Sequence, residues 1–337
     1  PTTSWYNGVR FALYVRRDVA QQLWDYGTGT LTAGGPLPGD EYVEKWSSVA
    51  AASAWGTLGS APGELRSPKG VAVDANGLVY VADTFNHRVQ VYDAGGSLVR
   101  QWGSQGSAAG QFSEPWGIGV APNGDVYVAD TWNHRIQVFG ADGAYKRMWG
   151  GPDVGQVDTV QGSGNLLYGP RSIAFDADGN VYVSDTGNKR VVKYSADGTM
   201  LAAVGGVGDA DGQLQEPCGI AVDAQGNLYV ADTWNMRIQV FGPDLQYLRQ
   251  WPVIAWEGLS VVNKPGLAVD GGNVYATDPE QARVLKFDAQ GKLQRVWGQF
   301  GYDQASMNLP TGIAVGVDGG LWVADSENNR MLRFGAQ

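Results

Sequence analysis

The sequence has little of what would mark several common function classes. It contains one cysteine, Cys218, and two histidines, His87 and His134, in 337 residues. One cysteine excludes an internal disulfide but says little about the compartment, because large β-proteins do not need disulfides. No apolar run approaches the roughly twenty residues of a membrane-spanning helix. We therefore expect a membrane to be involved only through a longer parent chain.

Positive charge is also scarce. The chain carries 24 Lys and Arg against 34 Asp and Glu, which gives a formal net charge of −10. An acidic chain repels phosphate backbones, and no basic run in the sequence overrides that repulsion. We therefore expect no nucleic-acid partner.

Glycine, in contrast, is abundant, with 49 residues alongside many Val, Tyr and Trp. β-Branched and aromatic residues favour strands, and glycine favours tight turns. The composition therefore predicts an all-β protein of short strands. The length is sufficient for a large core, either as one big domain or as two smaller ones.

One phrase organises most of the chain. VYVADTFNHRVQVY returns in related form at 79–92, 126–139, 181–194, 228–241, 274–287 and 321–334. The Asp of each copy stands at 83, 130, 185, 232, 278 and 325, with spacings of 47, 55, 47, 46 and 47 residues. One repeat thus carries an insertion of about eight residues, and the period is typical of propeller blades rather than helical solenoids.

Each copy is predicted to contain four strands. In the first copy these are an apolar inner strand at 71–74, alternating strands at 79–83 and 88–92, and an outer strand at 97–103. The sixth copy ends after three strands, but residues 48–60 resemble the end of an outer strand. This segment would complete the last blade and leave no open sheet edge. The prediction is a six-bladed β-propeller of four-stranded blades over 48–337, closed by an N-terminal strand.

The stretch PCGIAVDAQGNLYVADTWNMRIQVF at 217–241 resembles the NHL repeat, which is named for an Asn-His-Leu sequence. The resemblance extends over about residues 48–337, and the third letter of the name is here an Arg, as at 88, 135, 190 and 237. The fifth copy departs most, because Pro279, Glu280 and Gln281 stand where the others have Thr-x-Asn. We expect its turn to differ.

The first 47 residues lie outside the repeats. Residues 1–27 predict a strand near Val9–Val15 and a short helix from Asp18 to Tyr26, and 28–47 has the composition of a linker. The extension would pack on the propeller. Alternatively, WYNGVRFALYVRRDVA resembles the end of the extracytoplasmic domain of bacterial membrane glycosyltransferases of the dolichyl-phosphate-mannose mannosyltransferase type. That resemblance implies an extracytoplasmic fragment, tethered by membrane spans upstream of Pro1.

The Asp-Asn-His-Arg group in the repeated turn invites assignment as a site. The Asp and the Arg occur in all six copies, which favours a structural role in the turn. The positions of His87 and His134 are occupied in the other copies by Lys189, Met236, Ala282 and Asn329. No third ligand stands at a defined spacing, so scaffold or surface is favoured over a metal site.

Positions that vary between blades are better candidates for specificity. The loops between blades and the turns between second and third strands emerge on one face of a propeller, which we call the loop face. The candidate binding residues there are Lys69, Phe85, His87, Trp116, Trp132, His134, Arg171, Trp234 and Trp256. Exposed aromatics often mark contact surfaces. They would stack on sugar rings or receive a peptide, or else only pack against neighbouring loops.

The insertion at 151–170 belongs to the same face. It is Gly-rich and would serve either as a flap over the central channel or as a longer surface loop.

Three classes of function follow. The first is a monomeric, non-catalytic module without a cofactor, which binds a protein or a glycan on the loop face. The second is a metal-dependent lyase or lactonase-like hydrolase, in which Glu114, Glu216 and Asn263 would hold calcium at the channel mouth. The third, an RNA-binding NHL propeller, is opposed by the negative charge. Cys218 lacks a partner His in sequence and is a weak candidate nucleophile.

Overall fold

The computed structural model describes residues 2–6, 9–13, 22–25, 30–33, 42, 44–151, 166–256 and 260–337. The chain divides into two compact units, Pro1–Glu44 and Lys45–Gln337. Most of the insertion, residues 152–165, lies outside the described residues, so its proposed role as a flap stays a prediction. Among the residues that are described, no helix is both long enough and apolar enough to cross a bilayer.

The first unit contains two antiparallel hairpins. Strand β1 (Thr2–Tyr6) pairs with β2 (Val9–Leu13), and β3 (Gln22–Asp25) pairs with β4 (Thr30–Ala33). A strand was predicted at β2, but β3 lies where a helix from Asp18 to Tyr26 was predicted, and β4 lies within the predicted linker. The extended form agrees with local propensity, since Trp24 and the Thr-Leu-Thr of β4 favour strands.

The second unit is a six-bladed propeller of four-stranded antiparallel sheets, and its first strand is β5 (Ser53–Trp55). The first blade contains β6 (Gly70–Val73), β7 (Val79–Asp83), β8 (Arg88–Tyr92) and β9 (Leu98–Trp102). The second contains β10 (Pro115–Val120), β11 (Val126–Asp130), β12 (Arg135–Phe139) and β13 (Tyr145–Gly150). The third contains β14 (Pro170–Phe175), β15 (Val181–Asp185), β16 (Arg190–Tyr194) and β17 (Met200–Gly205).

The remaining blades repeat this order. The fourth contains β18 (Pro217–Val222), β19 (Leu228–Asp232), β20 (Arg237–Phe241) and β21 (Tyr247–Pro252). The fifth contains β22 (Leu267–Asp270), β23 (Asn273–Asp278), β24 (Arg283–Asp288) and β25 (Leu293–Trp297). The sixth contains β26 (Pro310–Val315), β27 (Gly320–Asp325), β28 (Arg330–Ala336) and β5. In the first four blades a 3-10 turn links the second and third strands, at Thr84–Asn86, Thr131–Asn133, Thr186–Asn188 and Thr233–Asn235.

The ring closes as predicted. Strand β5 from the N-terminal side pairs antiparallel with β28, with Trp55 opposite Met331. The outer strand of the last blade is therefore supplied from the other end of the repeat region. Closure of this kind leaves no unpaired strand edge between the ends of the ring.

Aromatic side chains join neighbouring blades. Trp55 at the end of the sixth blade packs on Tyr92 of the first, with ring centroids 4.2 Å apart. Trp102 of the first blade packs on Phe139 of the second at 5.7 Å. Each such pair contributes about 0.5–1.5 kcal/mol beyond the area that it buries. The outer-strand tryptophans therefore serve the core.

Glycines allow the inner strands to converge. A Cβ atom on Gly70 would lie 2.1 Å from the carbonyl oxygen of Trp116, and one on Gly312 would lie 2.5 Å from that of Lys69. The amide of Gly219 donates to the carbonyl of Pro265 at 2.9 Å, which links the fourth and fifth blades directly. Because the backbones meet here, the residue before each glycine is brought to the mouth of the central channel.

Candidate functional site

The Asp and Arg of the repeated turn are structural, as predicted. In the first blade Asp83 Oδ1 accepts the amide of Arg66 at 2.7 Å, and Oδ2 accepts Arg88 Nε at 2.7 Å. The same Oδ2 accepts Asn86 Nδ2 at 2.9 Å and Gln90 Nε2 at 3.0 Å. The Asp–Arg pair recurs at 2.7 Å in all six blades. These contacts occupy the carboxylate fully and leave it no free site for a ligand.

The two histidines also link blades. His87 Nδ1 accepts the amide of Glu114 at 3.1 Å, and His134 Nδ1 accepts the amide of Gly169 at 3.0 Å. Asn329 performs the same task through Oδ1, which accepts the amide of Ser67 at 2.8 Å. An Nδ1 that accepts a hydrogen bond belongs to a neutral ring, and burial lowers the pKa of His134 further. Both rings therefore act as amide acceptors and not as metal ligands through Nδ1.

The predicted aromatic residues separate into exposed and buried groups. Phe85 and Trp132 are exposed on the loop face, the latter by 47%, and Trp132 Nε1 donates to Glu114 Oε2 at 2.9 Å. Trp256 was predicted to lie on this face, but that is wrong, since it is only 1% exposed. Its side chain points inward: the backbone amide of Trp256 donates to the carbonyl of Val253, and the indole Nε1 donates to the carbonyl of Thr277.

Trp116 and Trp234 are half-buried and hold cations against their rings. The guanidinium carbon of Arg171 lies 4.2 Å from the Trp116 centroid, and Lys69 Nζ lies 5.5 Å from it. The ring of Trp234 has Lys189 Nζ at 4.9 Å and Lys264 Nζ at 5.5 Å. Cations over aromatic faces gain about 0.5–2 kcal/mol, more as water is excluded. These rings are thus engaged with the protein's own cations.

The cations surround a small cup at the mouth of the central channel. All six inner strands or their entries line it, including the predicted residues Lys69, Trp116, Arg171 and Cys218, and its volume is about 90 Å³. Lys264 also lines the cup, although the sequence analysis did not single it out. The signal was available, because the fifth copy reads Lys264-Pro265 where its sisters place the Pro first.

Glu216 organises three of the cations. Its Oε2 accepts Lys189 Nζ at 2.8 Å, and its Oε1 lies 3.0 Å from Lys264 Nζ and 3.9 Å from Arg171 Nη2. Burial opposes ionisation of this carboxyl, but Lys189 and Lys264 outweigh burial and lower its pKa. Glu216 is therefore ionised and holds the group together.

Lys69 and Arg171 lack comparable partners. Lys69 is 9% exposed, and within the described part of the chain its Nζ makes no hydrogen bond or ion pair. Arg171 Nε and Nη1 are buried without an acceptor among these same residues. Desolvation lowers the pKa of Lys69 to about 8, with Arg171 adding repulsion while Glu327 and Glu114 oppose the shift. Buried cations without acceptors are rare in native proteins and call for a functional explanation.

The predicted calcium set does not fit a metal. Glu114 accepts the Trp132 indole, Glu216 is enclosed by three cations, and Asn263 is fully buried. A divalent cation at Glu216 would be repelled by its lysines. In addition, no group of three His, Cys, Asp or Glu residues in the described ranges is placed to hold a metal ion. The thiol of Cys218 is buried, and burial raises its pKa, which disfavours the thiolate needed by a nucleophile.

Eleven of the eighteen large apolar side chains that are exposed among the described residues lie on the loop face, namely Leu58, Phe85, Trp132, Tyr168, Val207, Met236, Ile254, Val261, Val262, Phe300 and Tyr302. Five others lie on outer strands, at Val99, Tyr145, Met148, Leu201 and Leu248, and Trp46 precedes β5. Among the described residues, the turns of the opposite face expose one large apolar side chain, Val317. Exposed apolar groups that cluster on one face mark interaction surfaces.

A groove of about 330 Å³ lies within this face between the fifth and sixth blades. Its lining includes Val262, Pro279, Phe300 and Leu309. Pro279 belongs to the turn that was expected to differ; this turn is not a 3-10 turn, and neither is that of the sixth blade, 326–329. Val262 and Leu309 each precede by two residues a position that lines the cup, so the same two loops contribute to the groove and to the cup.

The sequence matches the NHL repeat at residues 65–92, 112–139, 167–194, 214–241 and 307–334. The divergent fifth copy is not among the matched stretches. A comparison with curated protein sequences finds no significant match.

Several solved structures share the fold. A virginiamycin B lyase from Staphylococcus aureus aligns with a TM-score of 0.52 and 14% identity over 79% of each chain. A streptogramin B lyase gives 0.53 and 15% identity, over 83% of this chain and 96% of the other. A gluconolactonase from Xanthomonas campestris gives 0.57 and 16% identity, over 86% and 97%. These structural alignments show a common fold. At such low sequence identity they say nothing about function, which has to be argued from the site.

Proposed function

Because this chain is a six-bladed propeller built of NHL repeats, we propose that it is a non-catalytic module that binds a protein or peptide on its loop face. The observation that carries the proposal is that eleven of the eighteen exposed large apolar side chains lie on that face, together with a groove whose loops also line the cationic cup. Propellers bind partners through such loop clusters, because loops can vary while the blades keep the scaffold rigid.

The chemistry of the face favours a polypeptide over a glycan. Sugars stack on aromatic rings, but many of the exposed side chains are aliphatic, such as Leu58, Val207 and Val261. Aliphatic groups bind the apolar side chains of a protein by excluding water, at roughly 25 cal/mol per Å². Trp116 and Trp234, which would serve a sugar best, already carry cations on their rings. A peptide in the groove would meet apolar walls and then the cup.

A catalytic role is the alternative, since the similar structures include lyases and a gluconolactonase. In this chain the carboxylate and imidazole candidates are engaged, Glu216 with lysines and the histidines with backbone amides, which leaves Lys69, with its pKa lowered to about 8, as the amine available for proton transfer. A residue already satisfied by the scaffold is poorly placed to exchange a proton with a substrate. Assays of the purified chain for lactone and ester hydrolysis, with and without added divalent metal, test this alternative.

Selection of displayed random peptides against the full chain tests the proposal directly. We expect selected peptides to lose at least about tenfold in affinity with Trp132→Ala or Phe300→Asp, as interface anchors do on truncation. Val317→Asp, on the opposite face, is the matched control and should leave affinity unchanged.

Two results would contradict the proposal. One is a selection that yields only peptides sensitive to Val317→Asp. The other is a glycan array that yields ligands sensitive to Trp132→Ala while no peptide binds, which would favour the glycan interpretation.

We further propose that the module is the extracytoplasmic part of a bacterial membrane glycosyltransferase-like protein. The support is the resemblance of residues 5–20 to the end of the extracytoplasmic domain of such enzymes. The gene that encodes the chain tests this point. Hydrophobic spans encoded upstream of Pro1 are expected, and a coding sequence without them would refute the proposal.

A further inference from the structure

We infer that the cup at the channel mouth binds a carboxylate group of the partner peptide, held between Lys69 and Arg171. The inference rests on the proposed peptide-binding function and names the chemical group that the site recognises. The carboxylate comes either from the chain terminus of the partner or from an Asp or Glu side chain.

The first support is unmet hydrogen-bonding capacity in one place. Lys69 Nζ has no hydrogen-bond or ion-pair partner in the described ranges, and Arg171 has two guanidinium nitrogens without acceptors. The indole Nε1 of Trp116 is also a buried donor without an acceptor among those residues. All three side chains line the same cup. A hydrogen-bond acceptor that carries negative charge would satisfy these donors best, because hydrogen bonds between charged groups are stronger than those between neutral groups.

The second support is charge balance. Four cations gather at the mouth, namely Lys69, Arg171, Lys189 and Lys264, on a chain whose overall charge is negative. The carboxylates that face them are Glu216, Glu114 and Glu327. Of these four cations, Lys69 is the one for which the described residues provide no ion pair. A monoanion such as a carboxylate neutralises this ammonium, whereas a dianionic phosphate would bring surplus negative charge.

The third support is size and continuity. A cup of about 90 Å³ accepts a single small group and excludes a whole side chain of aromatic size. The peptide beyond the carboxylate would continue into the apolar groove, because Val262 and Leu309 of the groove belong to the loops that carry Lys264 and Thr311 of the cup. The charged centre and the apolar rim thus select the same ligand, an acidic group on an apolar peptide.

Protonation of Lys69 should modulate this binding. The groups that face it are Arg171 from β14, Trp116 from β10, and the carboxylates of Glu114 and Glu327. Its pKa is lowered to about 8, chiefly by burial, so the cationic form dominates below that pH. Affinity for a carboxylate is therefore expected to fall as the pH rises through about 8, because a neutral amine attracts an anion less.

Matched peptides test the inference on the full chain. Each selected peptide is compared with its C-terminal amide and with its Asp→Asn and Glu→Gln forms by calorimetry. Loss of the recognised carboxylate, or Lys69→Met, should each weaken binding about tenfold to hundredfold, and the two changes together should add little. Lys69→Arg should restore much of the affinity. Lys292→Met, in a turn of the opposite face, is the control.

A second arm uses small anions, and its result does not depend on any peptide. Sodium acetate is expected to raise the melting temperature of the chain at neutral pH more than it raises that of the Lys69→Met variant, whereas sodium phosphate, which stabilises proteins generally through exclusion from their surface, should raise both melting temperatures equally. If no peptide binds but acetate behaves this way, the peptide proposal fails while carboxylate binding stands.

Two outcomes would overturn the inference. In the first, amidated and neutral peptides bind as tightly as their acidic parents, which leaves peptide binding intact. In the second, acetate raises the melting temperatures of the chain and of the Lys69→Met variant equally. Lys69→Gln serves as a second variant if the Met variant does not fold.

Discussion

Replacing Lys69 by methionine should stabilise the chain, although it removes a charge from the proposed site. Lys69 is buried at the channel mouth, and burial lowers its pKa from 10.5 to about 8. A lowering of this size corresponds to about 3 kcal/mol of stability lost at neutral pH. Methionine keeps a similar length, fills the same space and carries no charge to desolvate. We expect Lys69→Met to gain about 2–3 kcal/mol at neutral pH.

The gain should depend on pH in a defined direction. The unfolded state holds the proton up to its pKa of 10.5, whereas the folded state releases it near 8. The native protein therefore becomes more stable as pH rises between these two values, while the methionine variant has no such dependence from this site. The difference between the two proteins is largest below about pH 8 and vanishes toward pH 10.5.

Denaturant unfolding at a series of pH values measures this difference. Lys264→Met is the matched control, because Lys264 is equally buried but lies 3.0 Å from Glu216. Removing the Lys264 ammonium takes one counter-charge from the buried carboxylate of Glu216. The free energy of unfolding of this variant should therefore fall by about 1–3 kcal/mol. A Lys69→Met protein that is less stable than wild type at neutral pH, or whose gain does not change with pH, would refute the reasoning.

Two further predictions concern the scaffold, and both are measured by urea unfolding. His134→Asn should change the free energy of unfolding by less than about 0.5 kcal/mol, because the Asn side chain can accept the amide of Gly169 in the way that Asn329 accepts the amide of Ser67. His134→Leu has no acceptor for this amide and should cost about 1–3 kcal/mol. Equal losses in the two variants would argue against the amide-acceptor role. Gly70→Ala should destabilise strongly, since its Cβ would lie 2.1 Å from the Trp116 carbonyl, while Gly335→Ala, with open space around it, should be neutral. A tolerated Gly70→Ala would show that the inner strands can separate.

Much of the fold could be predicted because the repeat supplies six independent views of one pattern. The Asp at 83 and its equivalents, the alternating strands and the Gly-rich turns agree in nearly every copy. A chance pattern in one copy would not recur in the others, so the agreement makes the predicted strands and turns reliable. The closing strand at Ser53–Trp55 was predictable by counting strands. The first unit has no such repetition, and there a helix was predicted where the chain forms β3, and a linker where it forms β4.

The candidate site was predicted only in part. Lys69, Trp116 and Arg171 were singled out as residues that the fold does not dictate, and all three line the cup. The prediction for Trp256 failed because a loop sequence does not show which way its aromatic residue turns. Lys264 was missed because alignment on the glycine of the inner strand places Pro265 at the compared position and Lys264 where the other copies have Pro, although its ammonium reaches the same cluster.

The sequence by itself determined the blades, their number and the role of the repeated Asp and Arg, because each of these depends on contacts within one repeat or with its immediate neighbours in the chain. Only the tertiary structure decided which side chains meet at the centre. Lys69 and Lys264 are far apart in sequence and in different blades, and they share one cup because six glycine-bearing or small inner strands converge on the axis. Ring closure creates that proximity, and with it a group of buried cations at the centre of an acidic protein.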